Sequence, residues 1–120
     1  MNKRTVGTRF EEKAVIYLQN NQVIIREQNF RCRSGEIDII GIHEGYLVFF
    51  EVKYRKNLRA GYPEEAVGII KQQHICRVAD YYRLVHKIAA DFPIRYDVIA
   101  IAGEKTTWYR NAFNHTGNFW

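Results

Sequence analysis

Cysteine is scarce in this chain: Cys32 and Cys76 are the only two in 120 residues. Neither sits in a CxxC or Cys/His ligand spacing, and the four histidines (His43, His74, His86, His115) are scattered. A disulfide framework is thereby excluded and no zinc signature is present. With two prolines, the chain also lacks Pro-rich linkers, and it shows no internal repeats or low-complexity tracts. A single domain over residues 1–120 is therefore expected. No apolar run approaches the roughly 20 residues needed to span a membrane. The basic start MNKRTVGTR is not followed by the apolar stretch of a signal peptide. The expectation is a reduced, cytoplasmic protein with no membrane partner.

What the chain does have is hydrophobic content of 47%, 26% charged residues and a net charge of +5. The first two suit a soluble globular protein with its own core. The third favours a polyanionic partner without naming one.

Residues 8–20 predict a helix, with Phe10, Ala14, Tyr17 and Leu18 on one apolar face, Thr8 as N-cap and Glu11-Glu12 in the first turn. Glu11 falls at the edge of the apolar stripe and Glu12 nearly opposite, toward solvent. Val23 to Cys32 predicts a strand, with Arg31 and Arg33 near its end. After an acidic hairpin comes a basic loop, KNLRAGY at 56–62. A long helix is expected to open at Pro63 and run to about His86, with a core stripe of Val67, Ile70, His74, Val78, Tyr81 and Val85. Arg95 to Ala102 and Lys105 to Arg110 complete the strands. Asp97 reads as structural, paired with Arg95 or another arginine. The order is α-β-β-β-α-β-β, an α/β fold with a mixed central sheet flanked by helices.

The hairpin, SGEIDIIGIHEGYLVFFEVKYR from Ser34 to Arg55, carries the chemistry. Its strands are apolar and β-branched, yet they hold Glu36, Asp38, Glu51 and Lys53. If the loop is Glu44-Gly45, Asp38 faces Glu51 and Glu36 faces Lys53, all on one side. A three-residue loop would shift this register by one. Like charges directly opposed are destabilising in a sheet built only for stability. Two converging carboxylates are, however, what a hard divalent cation takes as ligands. The plainer alternative is a solvated sheet face with a Glu36–Lys53 ion pair.

GEIDII and FFEVKYR resemble the Asp…Glu-x-Lys signature of the PD-(D/E)xK nuclease superfamily, which includes restriction endonucleases and archaeal Holliday junction resolvases. More closely, the chain resembles a family of small uncharacterised bacterial proteins known as YraN. The matching positions are Gly7, Glu11, Ala14 and Tyr17-Leu18, GEID at 35–38, FFEVKYR at 49–55, Lys71-Gln72, RYDVIAI at 95–101 and NAF at 111–113. The resemblance implies a restriction-endonuclease-like fold and a metal-dependent nuclease. Mg²⁺ or Mn²⁺ would be held by Asp38, Glu51 and Glu11, with Lys53 completing the catalytic set and Glu36 in support. Gln73 and His74 stand where the pattern leads one to expect more basic residues.

Three functions follow for test. The first is a metal-dependent nuclease acting on nucleic acid, DNA by preference, with Arg31, Arg33, Arg55, Lys56, Arg59 and Lys71 contacting phosphate. The second is a nucleic-acid-binding module of the same fold that does not cut. The third is an assembly protein using aromatic surface such as Tyr81, Tyr82 and Trp108. Resolvases of similar fold act as dimers, which brings in a homodimer by analogy alone.

Overall fold

The computed structural model describes residues 3–55 and 67–116, with side chains from Arg9 onward. Lys56, Arg59 and the expected helix start at Pro63 lie outside the described residues. The elements are α1 (Lys3–Asn20), β1 (Ile24–Cys32), β2 (Gly35–His43), β3 (Tyr46–Arg55), α2 (Ile69–Val85), β4 (Ile94–Ala102) and β5 (Lys105–Phe113). The five strands form one sheet in the order β1-β2-β3-β4-β5. Only β3 and β4 run parallel, and the crossover between them carries α2. The expected mixed sheet and element order are both present.

Each helix covers one face. Along β3, Leu47 and Phe49 belong to a core with Ile75, Val78, Ala79 and Tyr82 of α2. Val48 and Phe50, pointing the other way, pack with Ala14 and Leu18 of α1. A central strand buried on both sides must be apolar almost continuously, and YLVFF is. Gly41 is fixed by close approach, because a Cβ there would lie 2.8 Å from Val23 Cγ1 and 2.9 Å from the Ile24 carbonyl oxygen.

The β2–β3 turn has Glu44 at φ 51° and Gly45 at φ 85°. Positive φ at both central residues is the two-residue turn whose twist matches a hairpin. It gives the expected register from His43↔Tyr46 to Ile39↔Phe50. There the pairing stops. Ile37 belongs to the α2-side core and Ile39 to the α1-side core, although residues two apart on a regular strand share a face. On the β1 side, Asn29 adopts φ 53°, and no pair lies between Gln28↔Ile39 and Phe30↔Ile37. The sheet therefore has a fault at Asp38, and β2 leaves β3 there.

Three expectations are corrected. Helix α1 begins at Lys3, so Thr8 is not its cap and Glu11-Glu12 are not in its first turn. Helix α2 begins at Ile69, because Gly68 is extended at φ −63°, ψ 161° and serves as its N-cap. Its buried face is Ile75, Cys76, Val78, Ala79 and Tyr82. Ile70, Tyr81 and Val85 are exposed, at 66%, 47% and 51%, and His74 is exposed with them. Apolar residues occur all round this helix, so hydrophobic period alone gave the wrong phase. The small side chains of Cys76 and Ala79 are what allow it to approach the sheet.

Among the described residues, no helix is long and apolar enough to cross a membrane.

Candidate metal and phosphate site

The fault in β2 builds the site. In an unbroken two-residue hairpin, Ile37 and Val52 would exchange backbone hydrogen bonds. Instead the Val52 N–H donates to Asp38 Oδ2 at 2.8 Å. The Asp38 carboxyl thus sits in the fork between the diverging strands. Glu51, one residue before Val52, is 8% exposed. It lies on the α2 side of β3 with Lys53, whose Nζ is 3.7 Å from Glu51 Oε1.

These acids are held under electrostatic stress. Burial, and then the charge of Glu51, push the Asp38 carboxyl from its ordinary 3.8 up to about 7. Glu11 and Glu36 add to the rise, and the Val52 N–H partly offsets it. Burial raises Glu51 as well, while Lys71 and Lys53 pull it back. Both cations favour ionised Glu51, and the two carboxyls titrate as a pair, each raised first by burial.

Several predicted residues converge here. Glu11 on α1 is half-buried and Glu12 exposed, and the Glu11 charge reaches Asp38. Lys71, expected to bind nucleic acid, lies near enough to Glu51 to favour its charged form. Arg31, Arg33 and Glu36 line an open pocket of about 420 Å³ at the β1–β2 tip. Arg55 is the last residue of β3.

Other expectations are corrected. Glu36 does not pair with Lys53, because the ladder ends before them. It accepts from Arg31 Nε at 2.9 Å, which commits that arginine to a carboxylate. Among the described residues no three His, Cys, Asp or Glu gather into a group able to hold a metal ion. Asp38 and Glu51 do not form the expected ladder pair, because the pairing ends at Ile39↔Phe50. The Glu51 charge still reaches Asp38, and Glu11 does not complete a three-acid cage with them. Sequence reasoning missed the capture of the Val52 N–H altogether, since nothing in the residue pattern marks a strand fault.

A second polar cluster lies on the α1 side of the sheet. Asp97 is fully buried. It accepts from Arg95 Nε at 2.9 Å, Arg95 Nη2 at 2.8 Å, Trp108 Nε1 at 2.8 Å and the Asn111 N–H at 2.8 Å. Arg95 Nη2 also donates to His43 Nδ1 at 3.0 Å. The pairing of Asp97 with Arg95 was among the alternatives expected, and its role is to join β4 to β5.

Residues 10–101 match the sequence profile described as uncharacterised protein family UPF0102. A UPF0102 protein of Lachnoclostridium phytofermentans is 44% identical over 118 residues, 98% of this chain and all of that protein. One from Legionella pneumophila is 41% identical over 106 residues, covering 87% of this chain and 90% of its own. One from Fusobacterium nucleatum is 38% identical over 111 residues, 92% of each chain. The fold and site define a small α/β protein with a paired-carboxylate fork. The chain belongs to the UPF0102 family, the group of small uncharacterised bacterial proteins that its motifs resemble.

Proposed function

We propose that this protein is a divalent-metal-dependent nuclease that hydrolyses phosphodiester bonds of nucleic acid, with structured or branched DNA as the first substrate to try. The observation that carries the reading is the Asp38–Glu51 pair in the fork of β2 and β3. A buried and a half-buried carboxyl, both with pKa values raised by desolvation, are a costly arrangement unless a cation takes the place of the proton. The donor set fits Mg²⁺ or Mn²⁺: all ligands are oxygen, and two protein carboxylates suffice for an ion that usually keeps several waters. Such an ion, when bound, supplies Lewis acidity toward phosphate oxygens and water.

The remaining work belongs to the chain. Lys53, held by Glu51, directs its ammonium to the same place and stabilises negative charge developing on phosphate oxygen. Lys71 and Arg55, and beyond the fork Arg33, supply positive charge that draws a polyanion toward an acidic centre. Glu11 and Glu36 add smaller contributions to the raised pKa of Asp38, and each can hold water in an outer shell.

Mn²⁺ titration calorimetry at pH 8, with a parallel cleavage screen of duplex, single-stranded and branched DNA and RNA, tests this. One ion per chain is expected, lost in Asp38→Asn and in Glu51→Gln, with cleavage lost in both and stopped by EDTA. If the folded wild-type chain binds no Mn²⁺ and binds DNA salt-sensitively without cutting it, a non-catalytic binding module takes the place of this proposal.

A further inference from the structure

At the opposite end of α2 from the acid pair, a cavity of about 460 Å³ opens between the turn end of the β2–β3 hairpin and the segment after α2. Ile42, Leu47 and Tyr82 line its interior, while Arg26, His86 and Lys87 are its exposed basic members. No acid is among the lining residues. Neither Arg26 nor Lys87 takes part in an ion pair among the described residues. Exposed Phe92 adds aromatic surface, as does His86, whose ring lies 4.2 Å from that of Tyr82.

Two features of the backbone bring the cations here. The β1–β2 register shifts between Ile25↔Gly41 and Glu27↔Ile40, so Arg26 is an extra residue in β1. Bulges of this kind re-aim a side chain. Helix α2 ends with the Lys87 N–H on the Leu84 carbonyl and the Ile88 N–H on the Arg83 carbonyl. That cap places the residue after His86 in the left-handed region, normally a glycine position. Lys87 occupies it at φ 53°. A left-handed cap residue and a bulge thus bring two cations, Lys87 and Arg26, to the lining of one cavity.

We propose that this cavity is a binding site for a small flat organic anion, about the size of a nucleoside monophosphate. Its apolar body lies against Ile42, Leu47 and Tyr82, and its charged group meets Arg26 and Lys87. The size falls within the usual range for small-molecule pockets, about 300–1,000 Å³. The negative end of the α2 dipole opposes an anion and also offers basic residues a local reason to be there. The capping N–H groups already satisfy two of those carbonyls, and Arg26 comes from another element with no helix end to complement. Glu27, whose charge reaches Tyr82, works against the anion. The site is independent of the nuclease reading.

An NMR titration of the intact chain with naphthalene-1-sulfonate, and separately with 5′-AMP, tests the proposal. Shifts confined to the amides of Ile42, Leu47, Ile88 and Ala89 are expected for the sulfonate, and 5′-AMP shows whether nucleotides belong to the class. Arg26→Gln and Lys87→Gly should each weaken binding by roughly five- to tenfold, and Glu27→Gln should tighten it. Lys87→Gly should raise the melting temperature while it weakens binding, which a merely structural lysine would not do. Absence of localised shifts with both probes overturns the proposal, as does binding indifferent to Arg26→Gln and Lys87→Gly.

Discussion

The Val52 N–H donates to Asp38 Oδ2 at 2.8 Å, in the place that the Ile37 carbonyl would hold in an unbroken hairpin. One side chain thus ends a ladder and replaces its next hydrogen bond. The exchange leaves a carboxyl in the fork of two strands, with Glu51 beside it.

The two tasks of Asp38 separate by mutation. Asparagine keeps an oxygen for the Val52 N–H and removes the stressed charge, whereas alanine removes both. In EDTA at pH 8, Asp38→Asn should be more stable than wild type by about 1 kcal/mol or more, one pKa unit being worth about 1.4. Asp38→Ala should fall below Asp38→Asn by roughly 1–3 kcal/mol, the cost of an unsatisfied buried donor. Urea unfolding of the three proteins checks both differences. An Asp38→Asn protein less stable than wild type would show that the carboxylate charge is not under stress.

The same stress fixes a pH dependence. Asp38 rises from 3.8 to about 7, and Glu51 is raised too. The folded state therefore binds more protons than the unfolded one, and its stability falls as pH rises. This contribution is fully present below pH 3.8 and is lost as pH passes through about 7. A divalent ion competes with that proton, so the gain in melting temperature from Mn²⁺ should be small at pH 6 and larger at pH 8. Thermal scans with Mn²⁺ or EDTA across this range measure it. A gain independent of pH would place the ion elsewhere.

His43 titrates with the opposite sign. Arg95 can only donate, so the contact at 3.0 Å makes His43 Nδ1 an acceptor and puts the ring proton on Nε2. Burial lowers its pKa from 6.5, with Arg95 adding to the fall and Glu44 opposing it. The unfolded state then binds more protons, and stability from this group is lost as pH falls from 6.5 through the folded value. Nitrogen NMR should show unprotonated Nδ1 at pH 7 and a midpoint below 6.5. A midpoint above 6.5 would mean that the Arg95 contact is not kept in solution.

The sequence was most legible where local chemistry sets geometry. Glu44-Gly45 fixed the hairpin register as far as Ile39↔Phe50, but Asp38 does not pair with Glu51 as that register expects and takes the Val52 N–H instead. The fault at Asp38 was hidden because Ile37, Ile39 and Ile40 are all apolar and all buried, so their pattern does not record that Ile37 and Ile39 face different helices. Helix α2 hid its phase for a similar reason, since Ile69, Ile70, Leu84 and Val85 put apolar residues on its outer surface as well as its inner one. Arg26 gave no signal at all, because a bulge shows only in the pairing.

Asp97 supplies the control for Asp38. Each carboxyl catches a backbone N–H from the neighbouring strand, Asn111 in one case and Val52 in the other. Asp97 differs in having Arg95 against both its oxygens and Trp108 donating to one. With every acceptor site filled and the charge paired, Asp97 has no capacity left for a ligand. In Asp97→Asn the amide NH₂ meets donors where an acceptor stood, and Arg95 is left buried without its counter-ion. Breaking a buried pair in this way costs roughly 3–5 kcal/mol. Urea unfolding of Asp97→Asn should therefore show a large loss, while the protein that remains folded keeps its Mn²⁺ affinity. The same Asp-to-Asn change at position 38 should do the reverse, strengthening the fold and removing the ion. If both variants lost stability alike, the two aspartates would be structural, and the case for Asp38 as a cation ligand would fail with them.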